Sequence, residues 1–185
     1  MTSSYRPLKG RFLVSEPFMS DANFQRTVVL LVEHNDEGSL GFVLNRQLNV
    51  SLPEMVGELP IPGAKVFLGG PVENTTLHYV HRRADLPESR SVAEGVYWSG
   101  NYELLQEWAR LGTLDPSEIL FFVGYSGWGP GQLDSELDRK SWIVAPENGA
   151  LVFDNEPDNL WRSVLHSLGD RFRIISNYPS DPSLN

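Results

Sequence analysis

Three kinds of chemistry can be tested against the run Gly124-Tyr125-Ser126-Gly127-Trp128-Gly129-Pro130-Gly131-Gln132-Leu133-Asp134-Ser135-Glu136-Leu137. The first is nucleophilic. Gly124 to Trp128 nearly reproduces the Gly-x-Ser-x-Gly elbow that exposes a strained serine, but Trp128 stands where the second glycine belongs. Such a serine also needs a histidine base oriented by an acid. The histidines are 34, 78, 81 and 166, and His34, in a hairpin turn, is the one that could approach. A hydrolase acting on a small ligand, through Ser126 or through a water activated by His34 or Glu136, is the catalytic alternative. The second chemistry is anion binding. Gly129-Pro130-Gly131 opening a helix leaves backbone N–H groups that together carry roughly half a positive charge. The lysine of a phosphate loop is absent, so the pattern is incomplete. The third is recognition without catalysis. Gln132 and Glu136 are four apart and share a helix face, and beside Tyr125 and Trp128 they define a candidate groove. Asn45 and Arg46, at the end of a central hairpin, extend it.

Each of these residues also has a plain structural use. Gln132 can bond to the neighbouring loop, Glu136 can pair with Arg139 or Lys140, and Asp21 can tie to an arginine at a strand end. Gly69-Gly70-Pro71 reads as a bend that allows close backbone approach rather than a phosphate cradle. No metal site is expected. His78 and His81 lie three apart on a strand and face opposite ways, while Asp134, Glu136 and Asp138 diverge around a helix. No cofactor motif is present, and no catalytic residue is assigned.

The elements that position these residues follow from periodicity and turn signals. Strands are expected at Gly10 to Ser15, Arg26 to Glu33, Ser39 to Asn45, Lys65 to Leu68, Leu77 to His81, Val96 to Ser99 and Ile119 to Val123. Shorter ones are expected at Trp142 to Val144 and Leu151 to Phe153. Arg26 to Glu33 is apolar on both faces, which predicts a central strand. Helices are expected over Leu52 to Leu59, capped by Ser51, over Tyr102 to Leu111, from Pro130 onward, and over Pro157 to Leu168. Asp21 caps a turn at Met19 to Phe24, and residues 82–94 read as irregular. The glycines after Val123 predict a corner that turns a buried strand into a helix. Hairpins mixed with single helices give an α+β class, one domain with a mostly antiparallel or mixed sheet. Residues 177–185 read as a flexible tail.

Composition narrows the partners. Of 185 residues, 24 are acidic and 15 basic, for a net charge of −9. Nonspecific nucleic-acid binding relies on excess Lys and Arg, so direct binding of nucleic acid is not expected. Cysteine is absent, which removes disulfides, thiolate nucleophiles and Cys-based zinc sites. No apolar run approaches the ~20 residues of a membrane span, and Met1 to Arg6 lacks the apolar core of a secretory signal. A cytoplasmic location without membrane association is the expectation.

Four segments together resemble one family. They are Gly10-Arg-Phe-Leu-Val-Ser-Glu-Pro17 with Asp21 to Phe24; Arg26 to His34 followed by Gly38 to Arg46; Gly69-Gly-Pro-Val72; and Gly124 to Leu137 with Trp142. In this order, from about Gly10 to Gly169, they resemble the bacterial YqgE/AlgH family. The resemblance implies an α+β fold with a coiled, forked sheet and a biochemical function that is essentially unassigned. It also implies a link, in one branch, to transcriptional control of alginate production, without a standard DNA-binding motif. No cofactor or catalytic residue carries over. The family often has alanine where this chain has Ser126, which weakens a mechanism built on that hydroxyl. The sequence therefore reads as a noncatalytic binding or regulatory protein with an unidentified protein or small-molecule partner.

Overall fold

A computed structural model describes residues 5–154 and 156–179. The strands are β1 (Phe12–Ser15), β2 (Val28–Asn35), β3 (Gly38–Val43), β4 (Lys65–Leu68), β5 (Val72–His81), β6 (Arg90–Ala93), β7 (Val96–Trp98), β8 (Ile119–Trp128) and β9 (Trp142–Ala145). The helices are α1 (Leu52–Met55), α2 (Tyr102–Leu111), α3 (Gln132–Asp138), α4 (Gly149–Phe153), α5 (Pro157–Ser167) and α6 (Asp170–Ser176). The strands form one open sheet in the order β6-β7-β5-β8-β3-β2-β1-β9, antiparallel throughout that path. β4 stands off the path and pairs parallel with β8. The class is α+β in one domain, as the mixture of hairpins and single helices predicts.

β8 is the hinge of the architecture. Along one edge it pairs with β5, from Ile119 opposite His81 to Tyr125 opposite Val72. Along the other it pairs first with β4 through Leu120 to Val123, then with β3 through Ser126 to Trp128. The sheet therefore forks between Val123 and Ser126. Gly69 sits in the fork: its N–H donates to Val123 O and its carbonyl accepts from Val43 N, stitching both branches. A Cβ on Gly69 would lie 2.3 Å from Gly124 O, and Gly124 itself takes a φ of 67°. Only residues without a side chain let these backbones approach so closely. The close-approach reading of Gly69-Gly70 is correct, and its partner is the glycine that opens the Gly124 to Leu137 run.

The expected corner after Val123 is overturned. The strand runs on to Trp128 because the glycines pass through the fork, and the turn falls at Gly129 to Gly131. α3 accordingly starts at Gln132 rather than Pro130, after Gly131 in the left-handed region. Other differences have local causes. Arg26, expected in a strand, has φ 50°, so β2 begins at Val28. Leu151 to Phe153, expected as a strand, is helical in α4, whose first turn is capped by Asn148 Oδ1 accepting from Leu151 N. The helix after Ser51 stops at Met55, and Ser51 makes no side-chain cap bond. β5 starts five residues early, across a register irregularity opposite Gly124. β6, within residues expected to be irregular, is a short edge strand, and α6 follows Gly169. Residues 180–185 of the expected tail lie outside the described residues, whereas Tyr178 stacks on Phe18 with ring centroids 5.8 Å apart.

The two-faced pattern of β2 is realised. Val28, Leu30 and Val32 join the larger core beneath Leu160, Trp161, Val164 and Leu165 of α5. Val29 and Leu31 face the opposite layer with Leu13, Val43, Trp128, Leu133 and Trp142. A third cluster packs Leu52, Leu105 and Ala109 from α1 and α2 on Tyr79 and Phe121.

His81, fully buried, lies on the α2 side of β5, while His78 contacts Phe42 and Tyr125 on the other. The His81 Nε2 lies 2.8 Å from Ser99 O, and Nδ1 accepts from Arg83 N at 3.2 Å. This pattern assigns the neutral tautomer with the proton on Nε2. Burial, the dominant influence, holds the imidazole pKa below its usual value. The same cause lowers His78. A depressed histidine pKa means the unfolded chain takes up the proton first. The stability contribution is thus complete above the unfolded value near 6.5 and is lost as pH falls below it. Thermal melts followed from about pH 7.5 down to about pH 5 should show a steady loss of stability that is reduced in His81→Asn. Equal pH slopes in the two proteins would refute the assignment.

Candidate functional site

The residues proposed for the groove separate into three places. Trp128, Gln132 and Glu136 are joined into one latch. Glu136 Oε2 accepts from the indole N–H of Trp128 at 2.9 Å and of Trp142 at 2.7 Å, while Oε1 accepts from Gln132 Nε2 at 3.0 Å. Gln132 Oε1 in turn accepts from Gly129 N at 3.0 Å. The i, i+4 spacing does put both side chains on one face, but that face closes onto the turn after β8. The Trp128 indole is 6% exposed, edge-on to Trp142 and stacked on Phe24. The expected pairing of Glu136 with Arg139 or Lys140 is replaced by these indoles. Gly129-Pro130-Gly131 receives the Gln132 amide oxygen at its first free N–H.

Tyr125 packs on the other face of β8, although Trp128 shares the cleft beside it. It packs with the larger core beside His78, whereas Trp128 belongs to the opposite layer. Tyr125 lines an open cleft of about 430 Å³ with Glu33, Glu37, Leu40, Val72, the exposed Gly127 and Trp128, the one latch residue that reaches it. The ring lies along Gly127, where a Cβ would meet Tyr125 Cε2 at 3.2 Å. Glu33 and Glu37 at the rim and Leu40 in the floor were not read from the sequence. Their signal was the hairpin itself, whose two-residue turn brings residues 33–40 against the end of β8.

Ser126 is fully buried, and its hydroxyl donates to Gly69 O at 3.0 Å. His34 Nδ1 pairs with Ser39 Oγ at 2.7 Å rather than with Ser126. The hydroxyl proton of Ser126 is thus used to close the fork. Among the described residues, no cluster of three or more His, Asp or Glu is arranged to hold a metal ion, and no helix is long and apolar enough to cross a membrane.

Asn45 and Arg46 occupy the far end of the β2–β3 hairpin, in cavities that share no residue with the Tyr125 cleft. Asn45 is a clamp: Oδ1 accepts from Val28 N at 3.0 Å and Nδ2 donates to Arg26 O at 2.9 Å. It thereby holds Arg26 in a left-handed conformation that costs a non-glycine residue about 1 kcal/mol. Arg46 donates to Gln25 O. Asp21 makes no arginine tie among the described residues; its carboxylate accepts from Asn23 N and Nδ2 instead.

Comparison with known proteins accords with this arrangement. The sequence model of a family described as AlgH-like matches residues 12–173. A "UPF0301 protein" of Cytophaga hutchinsonii is 42% identical over 179 residues, covering 96% of this chain and 98% of that protein. One from Bacteroides thetaiotaomicron is 35% identical, covering 97% and 92%. Among solved structures, a Corynebacterium diphtheriae protein superposes with a TM-score of 0.81 at 23% identity, covering 96% of this chain and 95% of that one, a likeness of fold alone. The solution structure of the AlgH protein from Pseudomonas aeruginosa gives a TM-score of 0.74 at 30% identity, covering 97% and 98%. A family model that spans residues 12–173, with relatives of 35–42% identity over nearly the whole chain, shows that this chain belongs to the AlgH-like family.

Proposed function

We propose that this chain is a noncatalytic binding protein with a regulatory role, and that the cleft beside Tyr125 receives its partner. The observation that carries this reading is the contrast between an open cleft and closed chemical groups. Ser126 Oγ bonds to Gly69, His34 Nδ1 to Ser39, and the Glu136 carboxylate to two indoles and Gln132. The cleft, by contrast, offers the half-buried Tyr125 ring and Leu40 under a rim of Glu33 and Glu37. Apolar floor and acidic rim together suit a cationic, partly apolar group, such as a basic side chain of a partner protein or a small amine. A link to transcriptional control, which family resemblance implies, would then run through a protein partner in the cytoplasm rather than through DNA.

The test is an NMR titration with short peptides rich in Lys and Arg and with aromatic amines. Bound probes should shift the amides of residues 38–40 and 125–127. Tyr125→Ala should weaken binding about tenfold or more, as expected for loss of an aromatic anchor. Binding that maps to other amides, or that survives Tyr125→Ala unchanged, would remove this cleft as the site.

A further inference from the structure

At the opposite end of the β2–β3 hairpin, Arg26, Arg46 and Arg162 line one cavity of about 330 Å³ with Asn45, Asp158 and Trp161. Arg26 and Arg46 also line the adjoining cavity toward Phe18. In a chain of net charge −9 this is a concentration of three guanidiniums, from the turn before β2, the loop after β3 and helix α5. Ion pairs found among the described residues join Arg11 to Glu147, Arg82 to Asp154, Arg83 to Asp85 and Arg173 to Asp170, and none uses these three arginines. The bonds they do make are to backbone carbonyls, Arg26 to Tyr178 O and Arg46 to Gln25 O. Each guanidinium has five N–H donors, so most remain directed elsewhere. Arg26 Nε is buried without a partner. Its guanidinium is held 4.9 Å over the Trp161 ring, and its backbone is kept left-handed by the Asn45 clamp. A strained backbone, a stacked guanidinium and an unsatisfied donor are the marks of a preformed fork rather than of a solvated surface arginine.

We propose that this cavity is a binding site for a phosphate group, free or carried by a small molecule. The cavity lining holds three guanidiniums and one carboxylate, that of Asp158. Although Asp154 and Glu156 border Arg162 from the neighbouring cavity, the lining itself is cationic and suits a phosphate, which carries a charge of about −2 near neutral pH. Planar forks bind phosphate oxygens in pairs. The first turn of α5 also opens here. Pro157 and Asp158 line the cavity, and Glu156 at the cap position makes no side-chain bond to the helix N–H groups. This end of the helix adds to the field that the arginines create.

The experiment is titration calorimetry of the full chain at low ionic strength with inorganic phosphate, pyrophosphate and adenosine monophosphate. Saturable binding is expected, weakened about tenfold or more by Arg46→Met and by Arg162→Met, each the loss of a charge-assisted contact. Arg139→Met, at the exposed C-terminal end of α3, should leave it unchanged. Both cavity variants keep the Asn45 clamp and Arg26, and circular dichroism melts will show whether they fold. Equal affinity for all three probes identifies the free anion as ligand; tighter binding of the nucleotide identifies a phosphorylated small molecule. Two outcomes would overturn the proposal: no saturable binding by any probe, or equal losses in Arg139→Met.

Discussion

Glu136→Leu should destabilise the fold by about 2–4 kcal/mol, read as a lowered midpoint in urea with an altered tryptophan emission. One carboxylate oxygen serves two indoles and the other serves Gln132. Leucine matches the carboxylate in bulk but accepts nothing, so the N–H groups of Trp128 and Trp142, on side chains 6% and 4% exposed, lose their acceptor. An unsatisfied buried donor costs about 1–3 kcal/mol, and two are created at once. Glu136→Gln separates the hydrogen-bond account from a charge account. Glutamine keeps an oxygen for the indoles but sets its NH2 against the NH2 of Gln132, whose own oxygen is held by Gly129 N. A loss of about 1 kcal/mol is expected from that single conflict. A Glu136→Leu protein as stable as the parent would show that the latch contributes nothing. In that case Glu136 would become available to a ligand.

What could be read from the sequence divides along physical lines. The α+β class, the two-faced β2 and helix α2 were legible because each is written in local periodicity and flanking turn residues. Asn101 capping α2 through Leu104 N, and Gly112 ending it in the left-handed region, are signals within a few residues of the element they bound. The role of Gly124 was not legible, because nothing near it says that the backbone it must accommodate is Gly69, far away in sequence. The same glycine pattern serves a tight turn or a close crossing, and only tertiary contact decides between them. Leu151 to Phe153 was misread for a related reason. Three apolar residues fit a buried strand or a buried helical turn equally well, and the Asn148 cap settles it.

The candidate site was legible in its residue types and not in its grouping. Gln132 and Glu136 do share a face, but whether that face borders solvent depends on where two tryptophans fall, and Trp142 lies beyond the helix. Tyr125 and Trp128, three apart on a strand, must face opposite sides. A strand reading through Gly124 places the two rings in opposite layers, although both residues still border one cleft. Arg46 was singled out and Arg26 was read only as a strand-end tie, while Arg162, which lines the same cavity, carries no mark in the sequence beyond its charge. Sites assembled from a hairpin end and a distant helix leave that kind of gap.

Gly69→Ala should be among the most damaging single methyl additions to this chain. The new Cβ would lie 2.3 Å from Gly124 O and 3.1 Å from both Phe122 Cβ and Phe42 Cδ1. The nearest obstacle is a backbone carbonyl, which cannot rotate aside as a side chain can. Relief requires β4 to draw back from β8, and that movement stretches Gly69 N to Val123 O and Val43 N to Gly69 O, both 2.9 Å. It also withdraws Gly69 O from the Ser126 hydroxyl. Overpacking of a tight core costs typically about 1–3 kcal/mol, and disruption of these bonds raises the expected loss to about 4 kcal/mol. Ser126→Ala provides the graded comparison. It removes one hydrogen bond at the same fork without adding an atom, and it should cost about 1 kcal/mol. Denaturant midpoints of the two variants should therefore differ in that order and by a wide margin. If Gly69→Ala were no worse than Ser126→Ala, the two branches of the sheet would be free to part. The fork would then be a loose seam rather than the fixed point from which both the Tyr125 cleft and the arginine cavity are held.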